Sequence, residues 1–485
     1  MTTPAIGPEF AAQASPAFAG PGTVQNHSLS LCWYGQKIGS FEVVDGDSIK
    51  WDGYADPKFA NLFTQRESDG MPYFLANMHP DNELYELLEQ DDQVTYIMGG
   101  LRFLSNLVIS KNCPFDHPVQ TDQLQTDFPR YVQDGTFNGI YTGPFPIDSG
   151  EGLADQLKDY WRNRHVPRFS GAEIKVPATL HEYGVLQPAI TTPFTHIIKF
   201  PTGSGAEAWG FNEWMSLELS EAAGLKTAQH ALLPLGKDNP PAVLVERFDI
   251  PGKARNVQHN MFLIQDFCTL AGMGPDDKGL GSMEQVAKVM KQLSTNPQAD
   301  LEDLFRRAIL SVTINDGDMH RKNIAMLFEY NPEEERYVSV RMSPTYDVTS
   351  EIWQYDSEQK QTLSLQGKTS GIKAKTMMGF AKAIGLPEDR AQDILTETTT
   401  RIAARAVEIA RNMPAEAAKH ECCQFTAGRI ATFAVRNTQM LGGTAPAWDP
   451  VEAPKTKMVT TIDGEKVLKV LGPAGNNKQN PRPFF

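Results

Sequence analysis

The segment from Ile314 to Phe328, INDGDMHRKNIAMLF, puts two acids, a histidine, two bases and two asparagines into one loop between an amphipathic helical pattern and an apolar strand-like run. Asp318 and Asn323 are five residues apart. Asp347, in MSPTYDVTS, comes twenty-four residues after Asn323, past a strand pair joined by the polar turn YNPEEER. An Asp, an Asn and a second Asp in that order form a phosphoryl-transfer set. One acid orients and deprotonates a hydroxyl nucleophile, while the amide and the later acid hold Mg2+ over phosphates. Oxygen ligands suit that hard cation. The same residue types also fill ordinary turns, with His320 donating to a loop carbonyl, so the motif alone leaves both readings open.

Three further segments bear on the choice. Lys199 ends the apolar strand pattern THIIKF, from which a lysine could reach nucleotide phosphates. The helical pattern that follows carries Glu213, a candidate counter-ion of the kind that positions such a lysine. The plain alternative is a solvated strand-end lysine and a surface glutamate. AVLVERFD runs from apolar residues into Glu246, Arg247 and Phe248, whose backbone could meet the polar edge of adenine. In RFSGAEIKV the small turn Ser170, Gly171, Ala172 precedes a strand, as in loops whose amide N–H groups cradle phosphate, although GxGxxG is absent.

The elements that must hold these groups are legible as period and punctuation. Residues 1–27 are rich in Ala, Pro and Gly without an apolar period and read as a flexible arm. SLSLCWYGQKIGSFEVVDG alternates around Tyr34-Gly35 and predicts a hairpin opening a small subdomain over 28–110. Residues 111–165 read as a linker or insertion with one short helical candidate, LADQLKDYW. Strands then return in a lobe over 166–249, and from Met261 the pattern becomes helical within a lobe over 250–440. Val286, Val289, Met290 and Leu293 follow a Ser282/Gln285 capping-box pattern, and Leu301, Leu304, Phe305, Ala308 and Val312 repeat the helical period. The extension 441–485 carries one candidate hairpin around TTIDGEKVLKVL.

The 485 residues, 41% hydrophobic, suffice for more than one lobe. A formal charge of −14 disfavours nonspecific attraction to nucleic acid or to anionic lipid. Five cysteines without CxxC spacing indicate neither a disulfide framework nor zinc, and the absence of a signal-peptide pattern or a spanning apolar run predicts a cytoplasmic chain away from the membrane.

In this order, SGAEIK, THIIKFP, NEWMSLELSEAAGL, VERFD, QDFC, DMHRKN and TYD resemble the HipA family of serine/threonine kinases. LCWYGQKIGSFEVVDG and FLANMHPDNELYELL are similar to that family's first subdomain, and GIKAKTMMGFAKAIGLP to its helical carboxyl-terminal region. The resemblance implies an α+β, two-lobed protein-kinase-like fold, with a strand-rich N-terminal lobe, an extra small subdomain and a helical C-terminal lobe, that uses ATP and Mg2+. By position it implies Asp318 as catalytic base, His320 as its support, Asn323 and Asp347 as metal ligands, and Lys199 as a phosphate contact. Glu246 to Phe248 would be the adenine hinge, with Gly171, Ala172 and Lys175 in the phosphate loop. That loop departs from the family's usual text, since Glu173 stands where a glutamine is common. Ser170 is the candidate for autophosphorylation, as the only hydroxyl in RHVPRFSGAEIKV and the residue before Gly171; where some members carry the modified serine, two residues earlier, this chain has Arg168, so either Ser170 takes the role or the control is absent.

As partners the resemblance implies a protein substrate, aminoacyl-tRNA synthetases being known ones, and a HipB-like helix-turn-helix antitoxin that makes most of the DNA contact. The competing reading from another class is a catalytically weak kinase-fold scaffold in a repressor complex. Intact Asp318, Asn323, Asp347 and Lys199 weigh against it. Small-molecule or lipid phosphorylation is a third reading, since one fold hosts several acceptors.

Overall fold

The computed structural model describes residues 28–44, 48–56, 67–68, 71–77, 101–102, 104, 107–110, 140–141, 169, 174–180, 186–189, 194–200, 207–236, 239–250, 260–352, 360–452, 455–460 and 466–471. The expected arm 1–27, the helical candidate LADQLKDYW and the turn of the last hairpin lie outside these residues.

The first hairpin forms as predicted. β1 (Ser28–Trp33) and β2 (Gln36–Val44) are joined at Tyr34 and Gly35, with φ of 48° and 78°. Two positive φ values in a two-residue loop match the twist of the flanking strands. With β3 (Ser48–Tyr54), and past the two-residue ribbon β4 (Glu67–Ser68) and β5 (Met71–Pro72) and the short α1 (Tyr73–Ala76), the chain adds β6 (Leu101–Arg102) and β7 (Leu107–Ser110). The sheet order is β3-β2-β1-β7-β6.

A second sheet, ordered β11-β12-β10-β8-β9, comprises β8 (Ile174–Leu180), β9 (Leu186–Pro188), β10 (His196–Phe200), β11 (His230–Leu233) and β12 (Ala242–Glu246). Its register sorts the side chains. Val176, Ile198 and Leu244 align across three strands and enter one apolar cluster. Their neighbours Lys175, Lys199 and Val243 therefore align on the opposite face, because successive side chains alternate. Against that face lies α2 (Trp209–Ala222), between β10 and β11. Gly210 allows the approach: a Cβ there would stand 2.7 Å from the Pro241 carbonyl oxygen and 2.9 Å from the Ala242 Cα.

Downstream of 260 the expectation of helices needs one correction. Met261–Asp266 is a strand, β13, pairing with β14 (Ala325–Asn331), which pairs with β15 (Arg336–Met342) in the expected strand pair. Its run of five buried residues has no alternation and reads equally well as a buried helix. The helices follow: α3 (Phe267–Ala271), α4 (Met283–Leu293) with its Ser282/Gln285 capping box, α5 (Pro297–Ile314), α6 (Ala374–Ile384), α7 (Glu388–Arg411), α8 (Ala415–Ala418) and α9 (Glu421–Met440). A last hairpin joins β16 (Lys455–Thr460) to β17 (Lys466–Leu471).

The first sheet packs on the helical lobe. Leu29, Trp33 and Phe41 share one apolar cluster with Phe305, Val312 and Phe380. Trp33 Nε1 donates to the Phe262 carbonyl at 3.4 Å and the Phe262 amide donates to Tyr34 Oη at 3.1 Å, seating β1 on β13.

Replacing Gly210 by Ala tests the close approach of α2 to β12. Helix propensity favours the substitution by at most about 1 kcal/mol, whereas overpacking against backbone costs about 1–3 kcal/mol. Gly210→Ala should lower the midpoint in thermal unfolding, while Gly274→Ala, where the added Cβ meets nothing within 4 Å, should leave it near wild type.

Candidate active site

Lys199 and Lys175 sit directly opposite each other on β10 and β8, and both are buried. Like charges so placed repel and lose hydration together. Two carboxylates offset them. Lys199 Nζ donates to Glu213 Oε1 of α2 at 2.6 Å and to Asp347 Oδ1, while Lys175 Nζ stands 3.6 Å from Asp347 Oδ2. Burial by itself would raise the Asp347 pKa, but Lys175 and Lys199 together outweigh it and hold the carboxyl well below the usual carboxylate range. Asp347 has φ of 53°, the left-handed conformation that Asp tolerates better than most residues.

The loop between α5 and β14 is built from a helix end. Asn315 closes α5 with φ of 57°, and Asn437 of α9 donates to the Val312 and Thr313 carbonyls at 2.9 and 3.2 Å, satisfying groups the helix leaves open. Next comes Asp316, fully buried against Arg307 with Nη2 to Oδ2 at 2.8 Å. Burial pushes its pKa up and Arg307 opposes that push. Two residues on, the Asp318 side chain is 58% exposed. Asn323 Nδ2 donates to the Asp318 carbonyl at 2.9 Å, which leaves the amide oxygen as the group to face a cation. His320 Nε2 lies 3.7 Å from Asp318 Oδ1.

Two links join this loop to the lysine cluster. Tyr346 Oη donates to the Lys322 carbonyl at 2.8 Å, and its ring lies 5.7 Å from that of Phe248. One aromatic thus touches the loop holding Asp318, the segment holding Asp347 and the end of β12. Asn212 of α2 exchanges two hydrogen bonds of 2.8 Å with the Ser350 backbone, fixing the segment after Asp347 to the helix that carries Glu213.

The structure thus gathers Lys175, Lys199, Glu213 and Asp347 in one cluster and Asp318, His320 and Asn323 in one loop. At the proposed hinge the amides of Glu246 and Arg247 already donate to the Gln229 and Thr195 carbonyls at 2.7 and 2.8 Å. The Arg247 guanidinium is bound to Asp249 through two nitrogens at 2.9 Å each, and to the Phe194 carbonyl at 3.0 Å. Ser170, Gly171 and Ala172 lie outside the described residues. Sequence reading assigned nothing to Arg307, Asp316, Tyr346 or Asn212. Only the placement of Tyr346 beside Asp347 hinted at a role.

Among the described residues no three His, Cys, Asp or Glu side chains converge as a metal cage. One anionic Asp and one amide oxygen, completed by phosphate and water oxygens, is nevertheless a donor set that suits Mg2+.

Two acids two residues apart should answer mutation in opposite ways. Asp316→Ala leaves Arg307 buried without its carboxylate and should cost about 3–5 kcal/mol. Asp318→Ala removes an exposed side chain and should stay within about 0.5 kcal/mol of wild type. Denaturant unfolding of the two variants checks this, and equal losses would refute the division of roles.

Comparison with known proteins bears on the family likeness and the fold. The family described as the HipA-like C-terminal domain matches residues 168–406. Two proteins of Sinorhizobium fredii, "Putative kinase Y4mE" and "Putative kinase Y4dM", are 27% identical over 248 residues and 26% identical over 268 residues. The alignments cover 49% and 51% of this chain and 56% and 61% of those relatives, so each spans less than two thirds of the relative's length. Among solved structures, HipA in the Shewanella oneidensis complex of HipA, HipB and operator DNA superposes with a TM-score of 0.57 at 18% identity, over 85% of this chain and 98% of that one. At that identity the likeness speaks for the fold, which is α+β and kinase-like. What is similar to the HipA family is thus the region 168–406, just under half of the chain, within which the motifs stand in the family's order.

Proposed function

We propose that the chain is an ATP- and Mg2+-dependent protein serine/threonine kinase of the HipA toxin type. One observation carries this reading: a buried lysine on a sheet strand held at once by a helix glutamate and by the aspartate that follows the Asp318–Asn323 loop. Burying two lysines against two carboxylates is costly for a purely structural purpose, and the same groups are those that phosphoryl transfer requires.

In this reading Lys199 and Lys175 turn from Asp347 to the nucleotide phosphates, and Glu213 keeps Lys199 aimed. Asp347 and the Asn323 amide oxygen would hold Mg2+, which would offset the charge that develops on the phosphates. Asp318, exposed on its loop, accepts the proton of the attacking hydroxyl, and His320 steadies it. Adenine packs near Phe248 and Tyr346. Its polar edge meets backbone at Phe248, since the amides of Glu246 and Arg247 are committed to the protein. Gly171 and Ala172 cradle phosphate, and Ser170 is a candidate for autophosphorylation, where up to about two added negative charges would repel the nucleotide.

A HipB-like antitoxin fits as regulator, on the analogy of the Shewanella complex. The net charge of −14 suits a subunit whose DNA contact is made mostly by that partner. No helix among the described residues is long and apolar enough to cross a membrane. We read the site of action as the cytoplasm and the substrate as a cytoplasmic protein. The division into lobes at 166–249 and 250–440, with the subdomain 28–110 ahead of them, belongs to the same proposal.

Asp318→Asn should lower transfer of labelled phosphate from ATP to protein by ~10²–10⁴-fold, with ATP affinity near wild type because few nucleotide contacts are lost. Transfer assays and calorimetry on one preparation check both halves. Wild-type turnover in Asp318→Asn would remove Asp318 from the role of base.

A further inference from the structure

Leu280 is 57% exposed, the one large exposed hydrophobic among the described residues. A lone surface leucine needs no explanation in itself. What sets this one apart is how its backbone is held. Arg321, three residues after Asp318 and itself buried, donates Nε to the Leu280 carbonyl at 2.8 Å and Nη2 to Gln285 Oε1 at 2.7 Å. The Arg321 amide donates to the Lys278 carbonyl at 3.0 Å, and the Leu280 amide to the Asp277 carbonyl at 2.9 Å.

The other side of the turn is held as well. Gly281 has φ of 102°, and a Cβ there would collide with the Arg321 guanidinium and the Gln285 side chain. Its carbonyl accepts the Ser364 amide at 3.2 Å, and the Met283 amide donates to the Ser364 carbonyl at 3.0 Å. Two residues before Ser364, Thr362 bonds the Gly317 carbonyl, next to Asp318. Three segments, 277–285, 317–321 and 362–364, are thus locked to one another around the exposed acid. The turn that carries the Leu280 side chain is thereby tied by hydrogen bonds to the loop that carries Asp318.

We infer that Leu280 is a specificity-determining residue that packs against an apolar side chain flanking the phosphorylated serine or threonine of the substrate protein. The inference rests on the kinase reading above and names the sequence class of its acceptor. Fixing the turn to the Arg321 loop removes most of the ordering cost of that contact, and burying one aliphatic side chain on another is worth roughly a tenfold preference.

The test uses the full chain, labelled ATP and a position-scanning library of serine and threonine peptides in which each flanking position is fixed in turn. Wild type should favour Leu, Ile, Met or Phe at one flanking position. Leu280→Asp should lower kcat/KM about tenfold for peptides with that residue and leave glycine-flanked peptides unaffected. Leu280→Met should retain the preference. A flat wild-type profile, a preference that survives in Leu280→Asp, or an equal fall for all peptides would each overturn the assignment while leaving the kinase reading standing. Absence of transfer to any peptide by wild type would count against the kinase reading itself, and Leu280 would lose its role with it.

Discussion

Two lysines facing each other across adjacent strands, away from water, are the arrangement on which the rest of this structure depends. Left alone, Lys175 and Lys199 would repel and stay charged only at great cost. Glu213 must come from α2 and Asp347 from the segment after β15, so a strand pair, a helix and a loop have to meet at one place. The meeting explains features that would otherwise look unrelated. Gly210 lets α2 lie against β12. Asn212, one residue before Glu213, takes both backbone groups of Ser350. Asp347 adopts a left-handed backbone that places its two oxygens toward the two lysines.

The second half of the site is organised around the end of α5. Asn315 and Asn437 terminate the helix, Arg307 takes Asp316 into the interior, and the chain then turns at Gly317, so that Asp318 stands outward. One acid is spent on holding the loop, and the next is exposed. Tyr346 joins the halves by reaching the loop carbonyl of Lys322 while its ring lies against Phe248. A group able to polarise a hydroxyl is thus held in fixed relation to groups able to hold phosphate.

Much of this was legible in the residues. The strand carrying Lys199, the helix carrying Glu213, the hairpin at Tyr34-Gly35 and the capping box at Ser282 follow from period and punctuation, because each is a local consequence of side-chain direction or turn chemistry. The solvated alternative for Lys199 fails because the strand lies in the middle of its sheet, beneath α2, a property of topology that a strand pattern does not carry. For the same reason β13 escaped notice, its continuous apolar run being neutral between strand and helix. Arg307 and Asp316 are nine residues apart, a pairing made only when the helix ends and the chain folds back. At the proposed hinge, the strand pattern marks Glu246 and Arg247, but only the hydrogen bonds of the fold reveal that their amides are already taken.

The central claim is that Asp347 exchanges its two lysines for a magnesium ion when nucleotide arrives. Calorimetric titration of ATP with and without magnesium, on wild type and on Asp347→Asn, tests it most directly. The account predicts that magnesium tightens ATP binding to wild type and has little effect on the variant, which binds metal-free ATP at least as tightly because its lysines are released from the carboxylate. An equal gain from magnesium in both proteins would contradict it.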